Sequence, residues 1–528
     1  MPLRTATRSA LLAAALAVPV AARPYEEAVH QLIGERAQPG DLPRDLAQPG
    51  PGDVAALRRA VWRAGAGHSS VAVRERFLAR YPEEDRFDAW ALKELLGLAP
   101  EAEVEGLDVF GDLGPDARIA SSRASRQPDE DRRNAERFAH DGSRRVLRDA
   151  WGRPQPADPA QLAMGERTGL SSQAYAHYGL PNLHFSDSPE VLKSDPRRFA
   201  HPPDARAFAA DFAQLHTDLA LAAASLGTPG GRALAWRCLG NAHHYIEDVA
   251  NQIHTLQAIY PFFVDAQLQS WKEEVLSAGG LLRARPGFID IGIGIIKNHH
   301  LFLENLWSKR VRAAAAGDPS VAGVVSGLDA LSRGDATFER ALDARALRPD
   351  GPFGRAIAEE LIEASSLEGA DVYLAARAVA RPRLSRSRYE TPEHGDPDLE
   401  LRANPDPIAL DHFYELEGRG FARAGSAVRR HLALFREALS AMDARPDARS
   451  AIGRTSLERI VADGIAALDA REARLAHFRP DPPEADSIAW RWAAADALAL
   501  AASSGLVAWF WRRARRRRHT AGNPREAG

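Results

Sequence analysis

Residues 244–254 read His-Tyr-Ile-Glu-Asp-Val-Ala-Asn-Gln-Ile-His, and a second run, His300-Leu-Phe-Leu-Glu304, follows. His244 and Asp248 are four apart, so on a helix their side chains stack on one face. His300 and Glu304 repeat that spacing. His254 stands ten residues after His244; at about 100° per residue that is about 1000°, only about 80° from the same face. Imidazole nitrogen and carboxylate oxygen are the ligands that Zn2+ accepts beside thiolate. The chain has one cysteine, Cys238, so zinc held here relies on nitrogen and oxygen donors. One His-x-x-x-Asp pair alone is more often a surface pair or a capped core histidine. Two such pairs together with His254 point to helices that present ligands to one metal cluster.

The rest of the sequence supplies helices to position them. The 528 residues are 45% hydrophobic and 26% charged, ordinary globular composition with room for two or three domains. Alanine and arginine dominate, alanine favours helix, and few stretches alternate as strands do. The chemistry-bearing runs fall in predicted helices over 205–226, 232–259, 263–278 and 295–316, with Gly227-Thr228-Pro229-Gly230-Gly231 as a stop signal between the first two. Further helices are expected over 25–36, 54–64, 87–98 and 354–380. A loop-rich stretch covers 111–205. A polar, proline-rich linker is expected over 381–408, and an accessory helical region over 409–487. Cys238, on the helix leading into the first motif, reads as a buried core thiol.

Charge is unevenly placed. The net charge is −3, but six arginines between Arg512 and Arg518 and two more, Arg4 and Arg8, leave −11 for the middle of the chain. A body this acidic is not built for tight nonspecific binding of a polyanion. Both ends read as sorting segments. Met1–Ala22 has a basic start, an apolar stretch and small residues at Ala21 and Ala22, the pattern of a signal peptide. Trp492–Trp511 carries one charge, Asp496, and at 1.5 Å per residue is long enough to cross about 30 Å of hydrocarbon. Aromatics flank it and the arginine cluster follows, so a transmembrane helix over 488–511 with a basic cytoplasmic tail over 512–528 is expected. The protein is then exported, periplasmic or cell-surface, and anchored in a membrane by its C-terminal helix.

His244-Tyr245-x-x-Asp248-x5-His254 is very similar to the signature of the zinc-dependent phospholipase C family, which shares its fold with the single-strand-specific fungal and plant nucleases. The family reads His-Tyr-x-x-Asp-x-x-x-Pro-x-His; this chain has Gln252 where the proline stands. Leu239-Gly240 fits the family, and His300-x-x-x-Glu304-Asn305 resembles its downstream motif, after an insertion over about 260–295. His184-Phe185-Ser186-Asp187 resembles the family's ligand motif His-Phe-x-Asp. The family's upstream aspartate corresponds best to Asp129, with Asp131, Asp112 and Asp116 as rivals. His30 resembles the histidine that follows the family's mature N-terminus, with His68 as competitor. Family members ligate through an N-terminal residue that is usually tryptophan; cleavage after Ala22 would expose Arg23 instead.

The resemblance covers roughly 23–380 and implies an all-α, phospholipase C/nuclease-like catalytic domain with two or three Zn2+. One ion would take Asp129, His184, His244 and Asp248, and a second His254, His300 and Glu304. A third would take the new N-terminus, His30 and Asp248 as a bridge. Asp129 and Asp248 are the implied catalytic carboxylates, and His243 and Glu247 stand beside ligands. The implied activity is phosphodiester hydrolysis by a metal-activated water. Glu304, the acidic body and the membrane anchor favour a phospholipid substrate. A 3′-nucleotidase or single-strand nuclease is the alternative within the fold, and a decayed envelope binding protein the alternative outside enzymes.

Overall fold

The computed structural model describes residues 25–97, 116–125, 128, 147–148, 154–155, 174–179, 183–184, 206–258, 260–278, 288–318, 322–386, 389, 391 and 396–476. The described residues are overwhelmingly helical. Four helices precede the central region: α1 (Tyr25–Ala37), α2 (Pro51–Ala66), α3 (Val71–Arg80) and α4 (Ala89–Leu95). A short α5 (Ala117–Ala124) follows. Next come α6 (Ala209–Ser225), α7 (Pro229–Ala250), α8 (Gln252–Thr255), α9 (Phe263–Ala278) and α10 (Phe288–Ala315). The rest of the described chain forms α11 (Ala322–Arg333), α12 (Ala336–Ala344), α13 (Phe353–Val379), α14 (Pro407–Ala444) and α15 (Pro446–Ala476). Among the described residues, extended structure is limited to two two-residue pairings, β1 (Leu147–Arg148) with β2 (Pro154–Gln155), antiparallel, and β3 (Leu183–His184) with β4 (Gln257–Ala258), parallel, and an isolated antiparallel bridge between Ala380 and Leu401.

The hairpin of α6 and α7 is the centre of the molecule. Gly227 closes α6 with φ +72°, a left-handed conformation that glycine adopts without strain. Thr228 then caps α7 through Oγ1, which accepts from the Gly231 N–H at 2.9 Å, and Pro229 occupies the first turn where its missing N–H costs nothing. Almost every residue of both helices is buried. Helices buried on all sides need neighbours all round, and α5, α13, α14 and α15 provide them. Trp236 and Phe435 meet edge to face at 5.4 Å between α7 and α14. Burial of side chains of this size stabilises by roughly 1.5–3 kcal/mol each.

The expected accessory pair, α14 and α15, belongs to this same core. His431 of α14 meets the Thr217 hydroxyl of α6 at 2.8 Å, and Arg459 of α15 clasps Asp218 of α6. The stretch expected as a linker is a strap pinned to α10. Asn298 donates to the carbonyls of Leu384 and Arg386 at 3.2 and 2.9 Å, and the Thr391 hydroxyl donates to the Asn298 carbonyl at 3.0 Å. Arg383 pairs with Glu400, and Lys309 with Asp396 and Asp398. Part of the hydrogen-bonding capacity of this polar, proline-rich segment is met by a neighbouring helix.

The signal peptide expected at 1–22, the transmembrane helix at 488–511 and the basic tail at 512–528 lie outside the described residues. Among the described helices, none is long and apolar enough to cross a membrane.

Candidate metal centre

Asp248 is the hub, and the elements around it are set by close packing. Gly240 lies where α7 crosses α5; a Cβ there would fall 2.1 Å from the Ser121 carbonyl oxygen. This approach carries the end of α5 onto α7, so that His244 Nδ1 donates to the Ser125 carbonyl at 2.6 Å. The opposite nitrogen, Nε2, then faces Asp248 Oδ2 at 3.1 Å and His177 Nδ1 at 2.9 Å. His177 ends a 3₁₀ turn (Ala174–His177) and lies 2.8 Å from Asp248 Oδ2. His30 arrives from α1: its Nε2 is 3.4 Å from Asp248 Oδ1, and its Nδ1 is held at 2.7 Å by Glu247.

The second group follows a break in the helix. The reading of 232–259 as one helix is corrected here, because α7 stops at Ala250. Asn251 leaves helical geometry at φ −78°, ψ 119°, and its side chain accepts from the Ile253 N–H at 3.3 Å, capping α8. Gln252 takes the first position of α8, where a proline would also be tolerated. Its amide instead donates to the Leu416 carbonyl at 2.7 Å and to Glu368 at 3.1 Å. The turn swings His254 beside α10. Its Nδ1 donates to the His177 carbonyl at 3.1 Å, and its Nε2 meets Glu304 Oε1 at 3.0 Å. His300 Nε2 meets the same oxygen at 2.9 Å. Tyr178 stacks on His254, ring centroids 5.3 Å apart.

Two buried groups can therefore hold a metal ion: His30, His244 and Asp248, and His254, His300 and Glu304, with ligand atoms in each within 4.8 Å of one another. They adjoin, since His254 Nδ1 is 3.8 Å from Asp248 Oδ1. The donors fit a divalent ion. His244 and His254 each engage Nδ1 with a backbone carbonyl and His30 with a carboxylate, the arrangement that fixes tautomer and ring orientation in metal sites. Burial would raise the Asp248 and Glu304 carboxyls, but the charges and hydrogen bonds of His244 and His177 hold Asp248 well below the usual range. His300 and His254 do the same for Glu304. Burial pushes His244 down to about 3, against the pull of Asp248. Burial would lower His30 too, but Asp248 and Glu247 outweigh it and raise the ring well above its ordinary value. Burial lifts Glu247 to about 7, against the pull of His30.

Six of the eight sequence-derived ligands converge: His30, His244, Asp248, His254, His300 and Glu304. The grouping differs from the expected one, because His30 stands with His244 and Asp248 rather than at a separate third position. Asp129 lies outside the described residues, and of His184 only the backbone, in β3, is described. Asp116, a rival for the upstream aspartate, is spent as the cap of α5, accepting from the Arg118 and Ile119 N–H groups. His68, the rival of His30, is committed to the Glu458 carbonyl and the Ser70 N–H. Of the two ligand neighbours, Glu247 turns in to His30, whereas His243 packs beside His431 at 5.2 Å. His177 is the residue the spacing missed. Its only sequence signal is a histidine between Tyr175 and Tyr178, seven residues before the His184 that the motif drew attention to. No family model, curated protein or solved structure matches the chain.

Proposed function

We propose that the protein is a zinc-dependent phosphodiester hydrolase of phospholipase C type. The observation that carries this reading is the double cluster: four helices deliver four imidazoles and two carboxylates to two adjoining buried groups, and a 3₁₀ turn sets a fifth imidazole, His177, against Asp248. A nitrogen and oxygen donor set of this size suits Zn2+. Paired Zn2+ supplies Lewis acidity, lowers the pKa of bound water and offsets charge on phosphoryl oxygens. Asp248 faces His30 and His254 with Oδ1 and His177 and His244 with Oδ2, so it is the carboxylate that would serve both groups were ions bound. Glu247 orients the His30 ring, and the Ser125 and His177 carbonyls orient His244 and His254. Asp129 is proposed as the further carboxylate of the site. Buried surroundings keep bulk water from competing for these groups.

Phospholipid is the proposed substrate, in keeping with the acidic body and the expected anchor. The protein is proposed to be exported and held at a membrane. Metal analysis of the purified chain, followed by assays on phosphatidylcholine and on single-stranded DNA, tests this. Two or more zinc per chain with lipid cleavage is the expected result. Cleavage of DNA alone transfers the activity to the nuclease alternative, and absence of bound zinc overturns the hydrolase in favour of a decayed binding protein.

A further inference from the structure

α9 buries one side and exposes apolar side chains on the other. Ala266 and Glu273 are buried, and Asp265 pairs with Arg377 of α13 at 3.0 Å. Val264, Leu268, Trp271 and Val275 follow at intervals of four, three and four, one stripe along the helix, with Phe263 beside it. Their exposure runs from 44% at Phe263 to 62% at Trp271. Among the described residues, ten large apolar side chains are exposed, and five of them are on this one helix. Scattered apolar residues need no explanation, but a contiguous stripe marks an interaction surface.

We propose that this face of α9 seats the protein on a zwitterionic lipid surface. A helix with one apolar stripe that includes a tryptophan lies in the plane of a bilayer interface, its rings among the headgroups. The sequence beyond Ala476 is consistent with this occupant: its arginine-flanked apolar run at Trp492–Trp511 is expected to hold the chain at a membrane. Charge selects the lipid. α9 carries one cation, Lys272, against Asp265, Glu273 and Glu274, and the middle of the chain is strongly acidic, so an anionic surface repels it. The face also belongs to the metal centre's own framework. α9 packs on α10, which carries His300 and Glu304, and the turn before it puts Phe262 against His299 at 4.1 Å. Seating deepens the phospholipase reading, because a substrate taken from the same surface would reach the site laterally.

The test uses the full chain reconstituted in phosphatidylcholine vesicles. Cys238 is buried and its thiol is pushed up to about 12 by that burial, so a cysteine introduced by Leu268→Cys is the one that an environment-sensitive fluorophore labels. The expected result is quenching of the label by nitroxide lipids and protection from aqueous iodide, with the reverse for a label at the exposed Arg348→Cys. Addition of phosphatidylglycerol should weaken the lipid quenching. Iodide quenching at position 268 that vesicles do not change overturns the proposal. Protection without lipid assigns the face to another part of this chain, and protection that grows with protein concentration assigns it to a second copy; both also overturn it. None of these readouts needs turnover, so they stand or fall apart from the hydrolase. If lipid cleavage is found, Trp271→Glu should lower it on vesicles by at least about tenfold and leave cleavage of a soluble short-chain substrate unchanged.

Discussion

Asp248 and Glu304 do the joining at the residue scale, each carboxylate facing two or more imidazoles. Asp248→Asn keeps the shape but withdraws the charge. The expected outcome is loss of metal from the His30 group, weakened binding at the adjoining one, and loss of hydrolysis. Metal stoichiometry measured beside activity checks this, and retention of full metal would refute the bridging role. Glu247 works one step back. Glu247→Gln leaves an acceptor for His30 Nδ1–H but removes its charge, so zinc affinity should fall by roughly 10–100-fold with the fold intact; titration against a competing chelator reads the change. The central candidate ligands were legible in the sequence because an i,i+4 pair on a helix is a local pattern. His177 was not, because a one-turn element has no period to reveal its face, and its place depends on His254, which packs against it from elsewhere in the chain.

At the element scale the site depends on two local events, a close crossing and a break. The crossing of α5 and α7 at Gly240 leaves no room for a methyl group, and the obstacle is a backbone carbonyl that no rotamer change can move. Gly240→Ala should therefore push α5 away and draw Ser125 from His244. A loss of about 1–3 kcal/mol is expected, as for overpacked cores, together with weaker metal binding. Thermal unfolding and metal titration of the same sample decide it; an unchanged melting temperature with unchanged zinc refutes the tight crossing. The break at Asn251 explains why helical-wheel arithmetic over 244–254 reached residues that do come together, but for an incomplete reason. His244 and Asp248 do share a face of α7, but His254 belongs to another helix and is aimed by the capped turn. Some other helices were readable from glycine and proline punctuation: 263–278 was expected and is α9, and 354–380 corresponds to Phe353–Val379, whereas α3, α5, α11 and α12 were not expected and α10 starts at Phe288 rather than at 295. What sequence pattern did not reveal was partnership, since the periodicity of α14 and α15 looks the same whether they stand apart or, as here, complete the core.

On the scale of the whole molecule, that integration places charge deep inside. Trp307 of α10 packs among Phe413, Tyr414 and Phe421 of α14, ring centroids 5.5–5.8 Å apart. Glu417, on the same helix, is buried there facing the Glu368 carboxylate of α13. Glu368 is compensated: Arg419 and Arg423 reach it at 2.9 and 2.7 Å, and Gln252 at 3.1 Å, which ties this region to the turn that aims His254. Among the described residues, no cation pairs with Glu417. Burial first, and Glu368 second, push its carboxyl from 4.5 up to about 8. The sign follows from proton counting. Between those two values the folded chain keeps a proton that the unfolded chain releases, so this group's contribution to stability falls as pH rises from 4.5 and becomes constant above about 8. Glu417→Gln removes the ionisation and keeps the shape. The variant should match the parent near pH 4.5 and exceed it at pH 8 by on the order of 1–3 kcal/mol. Melting temperatures of both proteins across that pH range provide the check. Curves that stay parallel would mean that Glu417 is charged and compensated in the folded state, and a widening gap with rising pH that its carboxyl is held neutral by the helices the sequence set apart as accessory.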